Sequence, residues 1–167
     1  MKSNDSAMLE ADNLAAVRGR TRLFVNVRLR VDARQALFVT GPNGSGKTTL
    51  LRMLAGLSAP AAGTIRRMGN VMAPFDARMR EEVAFAGHLP ALKDELSAIE
   101  NLVALVALGG VKLKTEQALL ALDRVALSRQ RTLPARVLSQ GQRRRIGLAR
   151  LALLEKPIWI LDEPTTG

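Results

Sequence analysis

The octet Gly41-Pro42-Asn43-Gly44-Ser45-Gly46-Lys47-Thr48 has the spacing G-x-x-x-x-G-K-T, and those residue types at that spacing suit a phosphate-binding loop. Its glycines let the backbone turn N–H groups inward around phosphate oxygens, and a following helix would add its positive N-terminal dipole. Lys47 is then placed to reach β- and γ-phosphates and the Thr48 hydroxyl to hold Mg²⁺, with Thr49 completing the candidate contacts. The bland alternative is a solvated glycine-rich turn. A second group is Ile158-Trp159-Ile160-Leu161 followed by Asp162-Glu163. An apolar tetrad of this kind reads as a buried parallel strand delivering two carboxylates to its end. Asp162 could hold Mg²⁺ on the phosphates, and Glu163 could act as general base on an attacking water. The third group is Leu138-Ser139-Gln140-Gly141-Gln142, which leads into a helix. The Ser139 hydroxyl and the Gly141 amide at that helix N-terminus could form a second phosphate cradle. Ser139 as an ordinary helix cap is the competing reading.

These groups need elements to position them. Leu37-Phe38-Val39 predicts a buried strand before the loop, and Thr49–Leu57 a helix after it that stops near Gly56. Odd-numbered apolar residues from Leu23 to Val31 predict a half-buried antiparallel strand, beside a weaker one at Met8–Val17. Thr64–Met68 and Val83–Ala86 read as further strands, the latter after the charged stretch Arg78–Glu82. Ser97-Ala98-Ile99-Glu100 is a capping box opening a helix that Gly109-Gly110 closes. Thr115–Val125 predicts a second helix with Leu119, Leu120 and Leu122 on its apolar side, and Gln142–Leu154 a third ended by Pro157. The expected fold is α/β, of the P-loop NTPase type. It has an antiparallel subdomain, a parallel core sheet, and a helical subdomain over about 94–140.

Composition bounds the rest. The 167 residues suit one domain, and 47% are apolar, which places the chain among globular proteins. There is no cysteine, so disulfides, thiolate metal sites and cysteine nucleophiles are excluded. The polar N-terminus lacks the apolar segment of a secretory signal, and Leu102–Leu108 is too short to span a bilayer. A soluble cytoplasmic protein is expected. The net charge of +10 raises the question of nucleic acid, but the basic residues are scattered. Their densest run is Gln142-Arg143-Arg144-Arg145, and four Phe, one Trp and no Tyr offer little for base stacking, so nucleic acid is not an expected partner.

Taken in order, the octet, Leu138–Gln142 and the acid pair resemble the ABC-type ATPases, with Leu138–Gln142 standing for the LSGGQ signature and Asp162-Glu163 for the Walker B end. Gln140 replaces the usual glycine, a departure that family tolerates. The resemblance implies an ABC-type nucleotide-binding domain over 1–167 using ATP and Mg²⁺. It also implies that Ser139, Gly141 and Gln142 reach the γ-phosphate held by a second ATPase subunit, so that two chains sandwich two ATP molecules. Gly87–Leu102 and the Arg-Gly-x-x-x-Leu-Phe pattern at Arg18–Phe24 are similar to one subgroup, the haem-exporter ATPase subunit of the bacterial cytochrome c maturation system. That similarity implies an integral-membrane transporter partner. It also implies a peripheral place on the cytoplasmic face of the inner membrane, and energy supplied to haem export or to haem release from a chaperone.

Some positions depart from the family pattern. Leu89 stands where the Q-loop glutamine is expected, and a leucine can neither donate nor accept there. Arg18 stands near the aromatic residue that stacks on adenine, where it could offer only a looser cation–π contact. The family's D-loop, further strands and switch histidine would follow Gly167, so the chain is expected to be a truncated form. Its single histidine, His88, is read as a surface or packing residue. Two other readings stay open: a remnant that binds nucleotide without turning it over, and a DNA-associated ABC ATPase. The second lacks the long coiled-coil or zinc insertion usual in such proteins.

Overall fold

The alternating segment around Leu23–Val31 forms a strand, β2 (Thr21–Val31), paired antiparallel with β1 (Leu9–Arg18). The structure, a computed structural model, describes residues 7–87 and 91–163 and divides into two compact units, Met1–Val83 and Ala84–Gly167. In the first unit β1 also pairs with β3 (Ala62–Arg67), which pairs with β4 (Asn70–Met72), giving a four-stranded sheet of order β2-β1-β3-β4. Leu14 and Ala16 are fully buried, with Leu9, Ala11 and Ile65 nearly so.

Alternation in β2 holds at Val27, Leu29 and Val31, which are half-buried, but fails at Val25, which is exposed. The register explains the failure. Leu14 faces Val27 while Ala16 faces Phe24, so one extra residue is inserted in β2, where Asn26 takes a left-handed φ of 55°. Asn13 does the same in β1, at φ 52°. Asparagine tolerates that conformation better than most residues, and such bulges re-aim the side chains around them.

Helix α1 (Lys47–Leu54) buries Leu50, Met53 and Leu54, and Gly56 follows it at φ 70°. Arg78–Glu82, read only as a charged stretch, belongs to a short helix α2 (Ala77–Glu82) capped by Asp76, whose carboxylate accepts the Arg78 amide at 2.9 Å. The expected strand at Leu37-Phe38-Val39 is a correction. That segment lies in no ladder among the described residues, and Phe38 is 85% exposed. An apolar run becomes a strand only where a neighbour supplies ladder hydrogen bonds, and no described strand pairs with this segment.

In the second unit β5 (Val83–Ala86) and β6 (Ile158–Leu161) form a two-stranded parallel sheet, prolonged by the Asp162 amide donating to the Ala86 carbonyl at 2.8 Å. Helices α3 (Ala98–Leu108), α4 (Thr115–Arg124) and α5 (Gln140–Leu154) enclose a core in which Leu102, Val106, Leu122, Leu127, Ile146 and Leu151 are fully buried. The Ser97–Glu100 capping box is formed, and the Ser97 hydroxyl and amide hold the Glu100 carboxyl below its ordinary range. Leu120 does not share the apolar side of α4 with Leu122; it is 53% exposed. The face is set by Ala118, Ala121 and Leu122 at helical spacing, and Leu120 lies two residues, about 200°, from Ala118. Helix α5 ends at Leu154 through Glu155 in the left-handed conformation, φ 48°, ahead of Pro157.

One close approach fixes a residue. At Gly63, φ 91°, a Cβ would sit 2.5 Å from the carbonyl carbon and oxygen of Asn13, where β3 crosses the β1 bulge. Backbone cannot yield as a side chain can. Gly63→Ala is therefore expected to lower stability by about 2–4 kcal/mol, read as a shift of the urea midpoint with an unchanged slope.

Candidate functional site

In the first unit the octet forms an exposed loop over Gly41–Gly44 that turns into α1. The Ser45 amide donates to the Pro42 carbonyl at 3.3 Å, and the Leu50 amide to the Gly46 carbonyl at 2.8 Å, opening the helix. Gly46 is the cap, at φ 94°, and no side chain closes the helix end from that position. A Cβ at 46 would lie 3.0 Å from Phe24 Cδ1 and 3.2 Å from Leu23 Cβ, so the sheet packs directly on the loop. Lys47 folds back over the loop, its Nζ donating to the carbonyls of Gly41 at 2.8 Å and Pro42 at 3.0 Å. An ammonium held there by two carbonyls stands ready to transfer to a stronger acceptor, a phosphate oxygen. Asn43 and Gly44 form the loop tip, Thr48 is exposed in the first turn of α1, and Thr49 follows it half-buried. Arg18 ends β1 opposite Thr21 and is exposed.

In the second unit Ser139 caps α5. Its Oγ accepts the Gln142 amide at 3.2 Å, and the Gln142 side chain accepts the Ser139 amide at 2.8 Å. The cap reading of Ser139 is thus realised, and it leaves the other reading standing. The informative residue is Gly141. A Cβ there would meet nothing within 4 Å, and its φ is not in the left-handed range, so neither packing nor backbone geometry requires glycine. Glycine in a helix is unfavourable relative to alanine, and approach of an external group is a reason to keep it. Asp162, 5% exposed, follows β6, and Glu163 beside it is exposed with φ 53°.

The donor sets fit an anionic nucleotide with a hard cation. The loop offers an ammonium, hydroxyls and backbone amides, and a Cβ at Gly41, 3.1 Å from Ser45 Oγ, would crowd it. Each unit also carries an oxygen donor of the kind Mg²⁺ prefers, the Thr48 hydroxyl in the first and the Asp162 carboxylate in the second. Leu89, His88 and the stretch 164–167 lie outside the described residues.

Asn101 and Asp94 are not among the site residues expected from the sequence. Asn101 is 2% exposed, its side-chain oxygen accepting the Lys93 amide at 2.8 Å and its Nδ2 donating to the carbonyls of Lys93, Leu96 and Ser97. Asp94 pairs with Arg143 in the first turn of α5. An asparagine on the inward face of an otherwise apolar helix was the available signal for the first; the second joins residues 49 apart and had none.

Comparison with known proteins identifies the family. The ABC transporter family profile matches residues 24–166. The cytochrome c biogenesis ATP-binding export protein CcmA of Nitrosomonas europaea is 48% identical over 160 residues, covering 96% of this chain and 75% of that one. The protein of the same name from Pseudomonas aeruginosa is also 48% identical, over 96% of this chain and 79% of its own. Among solved structures, a dimeric ATP-binding cassette in a post-hydrolysis state, bound to ADP and phosphate, superposes with a TM-score of 0.81 at 24% identity, over 95% of this chain and 75% of that one. The ADP conformation of another cassette gives 0.81 at 22%, over 96% and 70%. Both likenesses establish the fold. No helix among the described residues is long and apolar enough to cross a membrane.

The two readings of the α5 terminus separate by stability. Ser139→Ala is expected to lose about 1 kcal/mol through its cap. Gly141→Ala is expected to gain a few tenths of a kcal/mol, up to about 1, since the site has room and alanine favours helix. Thermal or urea unfolding of the two variants reads both signs; a loss in Gly141→Ala would mean that the glycine serves packing after all.

Proposed function

The chain belongs to the ABC transporter family of ATP-binding proteins, and from that membership we propose that it hydrolyses ATP as the energy-supplying subunit of a membrane exporter for c-type cytochrome assembly. The observation that carries ATP binding is Lys47, lying across the carbonyls of a glycine loop at the open end of α1. The 48% identity to two cytochrome c biogenesis export proteins supports the physiological setting. Haem, exported or released from a chaperone, is the cargo this reading assigns.

In this reading Gly41–Thr49 wraps the phosphates with backbone amides, and Lys47 neutralises charge that builds on the β- and γ-phosphates as the terminal bond breaks. Thr48 and Asp162 hold Mg²⁺, which supplies further charge neutralisation. Glu163 accepts a proton from the water that attacks the γ-phosphate. Ser139, Gly141 and Gln142 offer the capped, uncrowded N-terminus of α5 to the nucleotide of a second copy of the chain. Coupling requires an integral-membrane partner, with this chain peripheral on the cytoplasmic side of the bacterial inner membrane.

Three variants test the assignment. Lys47→Ala should weaken ATP binding at least about tenfold by titration of a fluorescent ATP analogue; equal affinity would sink the proposal. Glu163→Gln should bind ATP within about threefold of wild type yet release phosphate about 10²- to 10⁴-fold more slowly. Wild-type protein that binds ATP but releases no phosphate would move the reading to a binding subunit without turnover. Complementation of c-type cytochrome assembly in a bacterium lacking its own such ATPase, abolished by Lys47→Ala, tests the setting.

A further inference from the structure

We propose that Asp94 is a positioning residue for the candidate phosphate cradle at Ser139–Gln142, acting through Arg143 from a loop that Asn101 locks in place. This rests on the reading of that cradle given above. The loop over residues 93–97 is held from inside. The buried Asn101 side chain accepts the Lys93 amide at 2.8 Å and donates to the carbonyls of Lys93 (3.0 Å), Leu96 (2.9 Å) and Ser97 (3.1 Å). The same loop grips the approach to α5. The Leu96 carbonyl accepts the Ala135 amide at 2.8 Å, and the Asp94 carbonyl accepts the Arg136 amide at 3.1 Å. Residues Ala135–Val137 form a single 3₁₀ turn that runs directly into Leu138 and Ser139.

The Asp94 carboxylate then reaches past that turn to the Arg143 guanidinium. Arg143 is the first residue of α5 whose amide closes a helical bond to the cap, donating to the Ser139 carbonyl at 2.9 Å. One rigid loop thus holds both sides of the cradle, its approach by backbone and its first turn by charge. Electrostatics gives the pairing a second consequence. A lone carboxylate beside this helix end would repel an incoming phosphate, and Arg143 cancels it while keeping further N–H donors.

An exposed ion pair without such a role is worth little, and the expected effects are correspondingly modest. Side chains of Asp94 and Arg143 are 54% and 23% exposed, so Asp94→Ala should fold. Hydrogen exchange is measured at the Gln142 and Arg143 amides, together with phosphate release across a series of protein concentrations. In Asp94→Ala both amides should exchange about two- to fivefold faster. Maximal phosphate release should fall by a similar factor, and the protein concentration giving half-maximal specific activity should rise. ATP affinity at the chain's own Gly41–Thr48 loop should stay within twofold. Asp94→Glu, and the swap Asp94→Arg with Arg143→Asp, should recover most of both effects.

Unchanged exchange in Asp94→Ala overturns the proposal. So does faster exchange with unchanged release by an active wild type, which would make the pair merely structural, and so does a swap that recovers neither. Failure of the ATPase reading itself shows separately, as absent phosphate release in the wild type. Exchange alone then decides whether the loop holds the α5 terminus: acceleration with recovery by the swap supports that hold, and no acceleration overturns the proposal.

Discussion

Amides in the first turn of a helix have no partners within the helix, and this is why such turns can bind anions and why they are hard to hold in place. A terminus that binds phosphate must keep those amides presented while the chain behind them stays fixed. If the termini of α1 and α5 hold phosphate as proposed, the two units of this chain meet that constraint by different means. Before α1 a glycine takes the cap position, the sheet residues Leu23 and Phe24 press on it, and Lys47 ties the loop carbonyls together. Before α5 a serine caps reciprocally with Gln142, and the restraint comes from a neighbouring loop fixed by a buried asparagine. Packing serves the first terminus and polar clamping the second.

The antiparallel sheet of the first unit looks remote from this chemistry, yet its irregularities serve it. The bulge at Asn26 displaces Val25 outward, so that Phe24 instead of Val25 is the register partner of Ala16. Phe24 is also the side chain whose Cδ1 stands nearest the space above Gly46. A strictly alternating β2 would have shifted that ring to the other face, since each one-residue slip exchanges the two faces of a strand. The bulge in β1 needs Gly63 opposite it for the same geometric reason. Backbone strain at two asparagines and one glycine is what sets the wall beneath the loop.

Legibility in the sequence followed the range of the interaction. The octet, the Ser97 capping box and the helices α3, α4 and α5 depend on neighbours within a turn or two, and their spacing announced them. Alternation announced β2 but not its bulge, because one inserted residue shows only against the partner strand. Leu37-Phe38-Val39 has the composition of a strand, and composition does not supply a ladder. Hydrophobicity alone puts Leu120 on the apolar side of α4, whereas that face is set by the angular position of two alanines. The pairing of Asp94 with Arg143 spans 49 residues and depends on how α3 and α5 pack, so no local pattern could carry it.

The excess of positive charge has a related explanation, at the level of individual arginines. Arg143 answers Asp94. Arg145 donates to the carbonyls of Val125 at 3.1 Å and Ala126 at 3.2 Å, closing the C-terminus of α4, where a cation also meets the negative end of the helix dipole. Arg67, 8% exposed, pairs with Glu82, and burial lowers its guanidinium pKa from the ordinary value. The densest basic run therefore supplies two arginines that act on their own chain, one at each of two helix ends. A polyanion surface needs cations free to exchange their counterions for phosphates, and a guanidinium already seated on a carboxylate or on helix carbonyls must first give up that contact. For Arg143 and Arg145 the governing problem is the one the phosphate loop also poses, the satisfaction of helix termini. At the C-terminus of α4 the partner is a side chain of the protein, whereas no side chain caps the N-terminus of α1.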